Sequence, residues 1–499
     1  MSVENRFNLI DEPWIPVADA GSISLRALFS GSKYRSLGGN PIQKISLTKL
    51  LLAIGQSAST PESDDDWKEL GPHGLANACL DYLEKWHEKF FLYGEHPFLQ
   101  IPEIKIASLQ TFGATLPEIS TGNTTVLTQS QIERDLTDAD KALLIVQLMG
   151  FGLGGKKTDN SITLSPDYHE KTNEKGNPST SRPGTFIGFL GYLHSFLQGQ
   201  SLHETLWMNL FSQQQVSELL IYPEGIGVAP WEQMPKGENC SVAQALKASL
   251  MGRLIPISRF CLLDGNQFHY SEGIAYPGYK EGGRDPSVAV DSSGKNPKVL
   301  WSDPEKRPWR SLPALLSFFA QYDSKGFDCY QLRLNMDRVI SHVESIGIWS
   351  GGLRVRSNAG EQYVSGSDDF VESLVQIRAN ILGEGWFVNL RFEIGELENL
   401  SKNVYGSVLK YFKNQKMDGS NQAKQSSNLF WQLCERRFQN LVSHCGDLEQ
   451  IKKLRCEFAE FALKVYDTSC PKETARQIDA WAQSRPKMHG YIDFSKEKS

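Results

Sequence analysis

The sequence predicts an α+β protein: a large, irregular mixed N-terminal domain over residues 1–366, followed by a C-terminal four-helix bundle over 367–499. Three observations carry this. At 499 residues the chain exceeds the size at which one core stops growing, so two domains are expected. Between Trp207 and Leu353, short apolar runs alternate with Gly and Pro, the texture of mixed strands and helices. Beyond Asp368 the apolar residues settle into a helical period.

The elements follow in chain order. Phe7–Val17 reads as a short strand, a Pro-broken turn and a second extended piece. Helices are expected at Leu47–Gln56 and at Leu75–Phe91, where Leu80, Leu83 and Trp86 share one face. A third is expected over Thr137–Leu148, with Thr137 as N-cap and Asp138 and Asp140 in the first turn. Gly150–Thr185 is polar and Gly-rich and reads as a long exposed loop; Gly278–Asn296 reads as another. The bundle is expected from Phe370–Leu382, Leu390–Phe412, Leu429–Val442 and Leu448–Val465, with a polar loop at Asn414–Ser427.

Composition excludes several classes of function. Hydrophobic residues at 40% and charged residues at 22% describe an ordinary globular chain. There is no apolar run long enough for a membrane span and no secretory signal, and the eight cysteines include no C-x-x-C pair, so the expected compartment is the cytoplasm. The net charge of −6 argues against a protein that coats nucleic acid unaided. Charge is uneven, however: residues 401–499 hold 17 basic and 11 acidic residues, leaving 35 basic and 47 acidic in 1–400.

The sequence nearest to a catalytic motif is Gly150-Phe151-Gly152-Leu153-Gly154-Gly155-Lys156-Lys157-Thr158. A nucleotide-binding enzyme using residues 150–158 as a degenerate P-loop is therefore one reading. It requires Ser or Thr directly after the motif lysine, where Lys157 stands, and a helix opening afterwards, where the sequence is turn-like. The other functional reading faces the same glycines to a DNA groove. Gly152, Gly154 and Gly155 allow close backbone approach, and Lys156 and Lys157 neutralise phosphates. A second basic stretch is Gly351-Gly352-Leu353-Arg354-Val355-Arg356-Ser357-Asn358. Its diglycine suggests a sharp turn, and Arg354 and Arg356 alternate as on an extended strand. No metal-ligand spacing and no nucleophile elbow occurs, so neither catalysis nor a metal or other cofactor is expected.

Several segments together resemble the CasA family, the large subunits of type I-E CRISPR Cascade complexes. They are Asn8-Leu9-Ile10-Asp11-Glu12-Pro13-Trp14-Ile15-Pro16-Val17, Glu95-His96-Pro97-Phe98-Leu99-Gln100, Gly122-Asn123-Thr124-Thr125, the glycine run, Ala229-Pro230-Trp231-Glu232 and Gly351-Gly352-Leu353-Arg354. The resemblance implies a non-catalytic subunit that assembles with backbone, small and RNA-processing subunits on a CRISPR RNA. Such a subunit recognises the motif beside the target (the PAM) in double-stranded DNA, promotes strand opening and R-loop formation, and recruits a helicase–nuclease for antiviral defence. It further implies that residues 1–366 recognise the PAM through Gly152, Gly154 and Gly155 with Lys156 and Lys157, and that Arg259 is a PAM contact. Arg354, Arg356, Ser357 and Asn358 stand where the family has its strand-separating wedge, with Arg356 and Ser357 where relatives carry glutamine or asparagine. Asn123, Thr124 and Thr125 stand in the loop that meets the RNA 5′ handle. Only Cys240 lies where some relatives carry a metal-binding cysteine cluster, so no zinc is implied.

Overall fold

The computed structural model describes residues 4–116, 118–119, 134–152, 158–159, 161–166, 168, 191–320, 326–358, 361–364, 369–488 and 491. The described parts of Met1–Leu315 and Ser324–Leu374 form one compact unit, and those of Leu316–Asp323 and Val375–Ser499 form a second. The chain leaves the first unit at Leu374, a few residues beyond the 366/367 junction that the sequence suggested.

The first unit is a mixed fold. Its described strands form six small sheets of two or three strands each, packed among helices. The helix Pro41–Ala58 starts earlier than periodicity suggested, because Asn40 and Gln43 cap it reciprocally and Pro41 occupies the first turn. The helix Asp64–Lys85 carries Asp64, Asp65 and Asp66 in its first turn: Ser63 accepts a hydrogen bond from the Asp66 amide, and Asp66 accepts one from the Ser63 amide in return. Gly71, at φ 57°, breaks that helix, and Phe91 belongs not to it but to a strand, Phe91–Tyr93, paired with Arg6–Asn8. The segment Gly278–Asn296, expected to be a polar loop, has a buried stretch and contributes the strand Val290–Asp291 to a three-stranded sheet.

The motifs that carry the resemblance mostly build this core. The Trp14 indole donates to the Leu9 carbonyl at 2.8 Å. Phe98, from the Glu95–Gln100 stretch, stacks on Phe90 at 4.7 Å and on Trp231, from the Ala229–Glu232 stretch, at 5.7 Å. Gln100 is buried; its amide donates to the Leu92 carbonyl and its oxygen accepts from the Leu263 amide. Two stretches far apart in sequence thus meet because each supplies a ring to one aromatic cluster.

At the centre lies a buried ion pair. Lys49, on the helix Pro41–Ala58, donates to Asp285 and, at 2.9 Å, to the Arg253 carbonyl. The two side chains are 4% and 2% exposed. Asp285 also accepts from the Ser287 amide at 3.0 Å and hydroxyl at 2.7 Å. The Ser287 oxygen lies 2.9 Å from Nδ1 of buried His194. Since the Ser287 proton goes to Asp285, the imidazole nitrogen is the donor. Burial outweighs the pull of Asp285 and, with Lys49 opposing a second positive charge, holds the His194 pKa down at about 3.

The second unit is built mainly from the α-helices Glu384–Asn414, Ser420–His444, Leu448–Ser469 and Ala475–Ser484. The membership differs from the expected one. Phe370–Leu382 is not a helix; Phe370–Arg378 is a strand whose Val371, Val375 and Ile377 are buried at even spacing. Nor is Asn414–Ser427 one loop, since the second helix already begins at Ser420. The fourth helix is the short Ala475–Ser484, opened by Thr474 and Gln477 as a capping box. Within the unit, the Trp386 indole donates to the Val442 carbonyl at 3.0 Å, and Glu393 pairs with Arg455 at 2.5 Å. Among the described residues no helix is long and apolar enough to cross a membrane.

Two measurements test the buried network. Asp285→Ala leaves Lys49 charged without its partner and is expected to lower the unfolding free energy of the first unit by about 3–5 kcal/mol. The double variant K49M/D285L is expected to regain most of that loss in denaturant titrations. His194 has a folded pKa below its unfolded value, so the unfolded chain binds the extra proton and stability falls as pH drops below about 6.5. Between pH 6.5 and 5.5 the wild-type chain is expected to lose about 1 kcal/mol that His194→Gln does not lose.

Candidate nucleic-acid interface

The helix that leads into the glycine run is Asp138–Phe151. Thr137 caps it as the sequence predicted, accepting from the Asp140 amide at 3.2 Å while Asp140 accepts from the Thr137 amide at 3.1 Å. Its far end exposes unpaired carbonyls and the negative end of the helix dipole. Ser258 meets them, donating both its amide (2.9 Å) and its hydroxyl (2.7 Å) to the Met149 carbonyl. Arg259 follows, donating to the Gly152 carbonyl at 3.1 Å and to the Ser258 carbonyl at 2.7 Å.

This arrangement brings together two residues chosen separately from the sequence, and it changes the part played by one. Arg259 is 1% exposed, so it braces the base of the glycine run from behind instead of presenting its charge outward. A Cβ at position 152 would lie 2.6 Å from both Cγ and Nε of Arg259, which is why only glycine fits there. Gly154, Gly155, Lys156 and Lys157 lie outside the described residues. On the far side of them the Asp159 amide donates to the Tyr270 carbonyl at 3.0 Å. Burial raises the Asp159 carboxyl, but hydrogen bonds from Ser161 and Ser108 outweigh it and hold the pKa at about 2. Residues 152 and 159 are therefore both fastened to the antiparallel pair Arg259–Asp264 and Gln267–Glu272, at Arg259 and Tyr270.

The degenerate P-loop reading fails on this geometry. A phosphate cradle uses the free amides at a helix N-terminus. Here the glycine run follows a helix C-terminus, and no helix starts among the described residues 158–168.

The basic stretch at 351–358 grows from the strand Ser345–Leu353, which lies between His194–Gln198 and Phe370–Arg378 in one sheet. The diglycine is not a turn, as expected from sequence, but part of that strand. A Cβ on Gly351 would meet the Trp349 ring at 2.7 Å, and one on Gly352 would clash with the Ser302 hydroxyl. Nor are the two arginines presented alike. Arg354 pairs with Asp369 at 3.2 Å and reaches Asp303 at 3.7 Å, leaving its side chain 21% exposed. Arg356 is exposed. The strand Arg356–Asn358 pairs antiparallel with Glu361–Val364, matching Arg356 to Tyr363, Ser357 to Gln362 and Asn358 to Glu361. Glu361–Val364 in turn pairs in parallel with Glu118–Ile119. Asn123, Thr124 and Thr125 lie outside the described residues, a few positions beyond that strand.

The three candidate segments share one neighbourhood. A cavity of about 340 Å³ is lined by Phe151 before the glycine run, Leu353 before the hairpin, and Leu116 and Arg134 on either side of residues 117–133. Below it, the Phe151 ring meets the His194 imidazole edge-on at 5.5 Å, and His194 pairs with Gly351 across the sheet. Sequence reasoning missed Asp159, Asp369 and His194. Asp159 is tied to Ser108, 51 positions away, Asp369 to Arg354, 15 away, and His194 to Ser287, 93 away, so sequence spacing alone does not mark these contacts.

Comparison with known proteins agrees with this architecture. The family model described as CRISPR-associated protein Cse1 matches residues 8–467. A protein of Thermus thermophilus described as CRISPR-associated protein CasA/Cse1 is 28% identical over an alignment of 339 residues that covers 62% of this chain and 60% of that relative's own length. Among solved structures, Thermobifida fusca Cse1 has a TM-score of 0.73 at 18% identity, covering 98% of both chains. Thermus thermophilus CasA has a TM-score of 0.71 at 20% identity, covering 96% of this chain and 98% of that one. A chain of a CRISPR RNA-guided surveillance complex has a TM-score of 0.66 at 16% identity, with 96% and 98% covered. At such identities these structures attest the fold, and the family follows from the near-complete sequence match: the chain belongs to the family of CRISPR-associated protein Cse1.

Proposed function

We propose that this chain is the non-catalytic large subunit of an RNA-guided CRISPR surveillance complex in the cytoplasm. In this reading it recognises the PAM in double-stranded DNA, promotes strand opening and R-loop formation, and recruits a helicase–nuclease. Its partners are the backbone, small and RNA-processing subunits and the CRISPR RNA. The observation that carries the reading is that the roots of the glycine run and of the basic hairpin line a single cavity in one compact unit.

The chemistry divides between the two segments. Gly154 and Gly155 bring bare backbone to a groove, with Lys156 and Lys157 on its phosphates; such contact reads shape and a degenerate donor and acceptor pattern. Guide pairing then reads the remaining sequence. Arg259 is a positioning residue, acting through Gly152. On the hairpin, Arg356 is the outward cation, with Ser357 and Asn358 beyond it, while Arg354 ties the hairpin base to Asp369. Asn123, Thr124 and Thr125 take the RNA 5′ handle.

The test uses the full chain in a reconstituted complex. Replacing Gly154 and Gly155 together with phenylalanine is expected to weaken duplex binding by roughly tenfold to a hundredfold while leaving the unfolding midpoint unchanged. Arg356→Ala is expected to keep initial binding within a few-fold but to lower permanganate reactivity of thymines beside the PAM. Unchanged duplex binding by the glycine variant would remove the basis of this assignment.

A further inference from the structure

Of the eleven tryptophans, all of them among the described residues, Trp301 alone is exposed, at 47%. Indoles are largely buried in folded proteins, so one held at the surface needs a cause. This one is held firmly. A Cβ on Gly191 would lie 2.9 Å from Cε3 of the indole and 3.2 Å from Cζ3, so the six-membered ring rests on bare Gly191 backbone. Tyr192 packs beside it at 5.0 Å with a 55° tilt. The adjoining Ser302 amide donates to the Gly191 carbonyl at 2.6 Å, and the Ser302 hydroxyl donates to the Tyr192 carbonyl at 3.0 Å.

Its setting is the base of the basic hairpin. The same Cβ position on Gly191 lies 3.8 Å from the carbonyl oxygen of Val355, the residue between Arg354 and Arg356. Gly352, in the strand feeding the hairpin, closes against Ser302. A seated, exposed indole therefore stands at the hairpin base, near Val355, the residue before exposed Arg356. Exposed Lys306 lies five residues along the chain, beyond Asp303, which reaches Arg354, and exposed Glu305. Aromatic rings interleaved with cations are the chemistry that takes unpaired nucleotides: the base stacks, and the phosphate meets the charge.

We propose that Trp301 is a stacking platform for an unpaired DNA base at the foot of the hairpin, holding open the first nucleotide released beside the recognised motif. The inference rests on the reading of the hairpin as a strand separator. A platform of this kind makes separation persist, because a base stacked on indole no longer competes to re-pair.

The test uses the full chain in its assembled complex and a duplex carrying 2-aminopurine at each of the first two positions beside the motif, on either strand. Trp301→Phe keeps an aromatic face, while Trp301→Leu keeps apolar cover for Gly191 and Tyr192 without one. With the wild-type chain, 2-aminopurine on one strand is expected to unpair yet stay quenched by the indole. Trp301→Leu is expected to brighten it several-fold and to lower the opened fraction by about tenfold, with Trp301→Phe near wild type and duplex affinity unchanged within twofold. Unpairing by the wild type with Trp301→Leu indistinguishable from it would overturn the platform and leave the separator standing. Absence of unpairing in the wild type would overturn both. Loss of a partner subunit from the Trp301→Leu complex, with normal quenching in what remains, would reassign the indole to a protein contact and overturn the proposal.

Discussion

The first unit is organised around two opposite charges removed from water. Lys49 and Asp285 are both almost wholly buried, and neither is tolerable there without the other. Their hydrogen bonds reach outward: Lys49 to the Arg253 carbonyl, Asp285 to Ser287, and Ser287 to His194. His194 lies across the sheet from Gly351 and edge-on to Phe151. The pair thus fixes the residues directly beneath both the hairpin strand and the end of the helix that feeds the glycine run. A purely apolar core would fill the same space with less directional constraint, and the placement of two surface segments relative to one another depends on direction.

Around this centre the candidate interface is shaped by missing side chains. Gly152 is vacant of a Cβ because Arg259 crosses it, Gly191 because Trp301 lies on it, and Gly351 and Gly352 because Trp349 and Ser302 do. In each case a large or polar side chain from elsewhere uses the space. Glycines that resemble a flexible or phosphate-binding motif in sequence are, in these places, points of tight backbone packing. The rigidity is useful, since a surface that discriminates a groove shape has to hold its own shape first.

How much was legible follows from how local each signal is. The Thr137 cap and the stripes of Leu429–Val442 and Leu448–Val465 are written within a turn or two of themselves, and the elements formed there. Phe370–Arg378 misled because its apolar residues also suit a helix; alternation of Val371, Val375 and Ile377 was the better period. Positions in the candidate site were legible, but roles were not. Arg259 is silenced by a carbonyl 107 residues away, and Arg354 by Asp369 across the hairpin, whereas Arg356 keeps its exposure. Which arginine faces outward is decided by tertiary partners that spacing does not encode.

In the proposed function the glycine run and the hairpin present one face to duplex DNA. Photo-crosslinking amino acids placed singly at positions 156 and 356 of the full chain, in the assembled complex, test it directly. Crosslinks from both positions to DNA are expected, mapping within a few base pairs of each other beside the proposed recognition motif. Crosslinks only to protein, or to DNA sites separated by more than about one helical turn of roughly 10 base pairs, would contradict it.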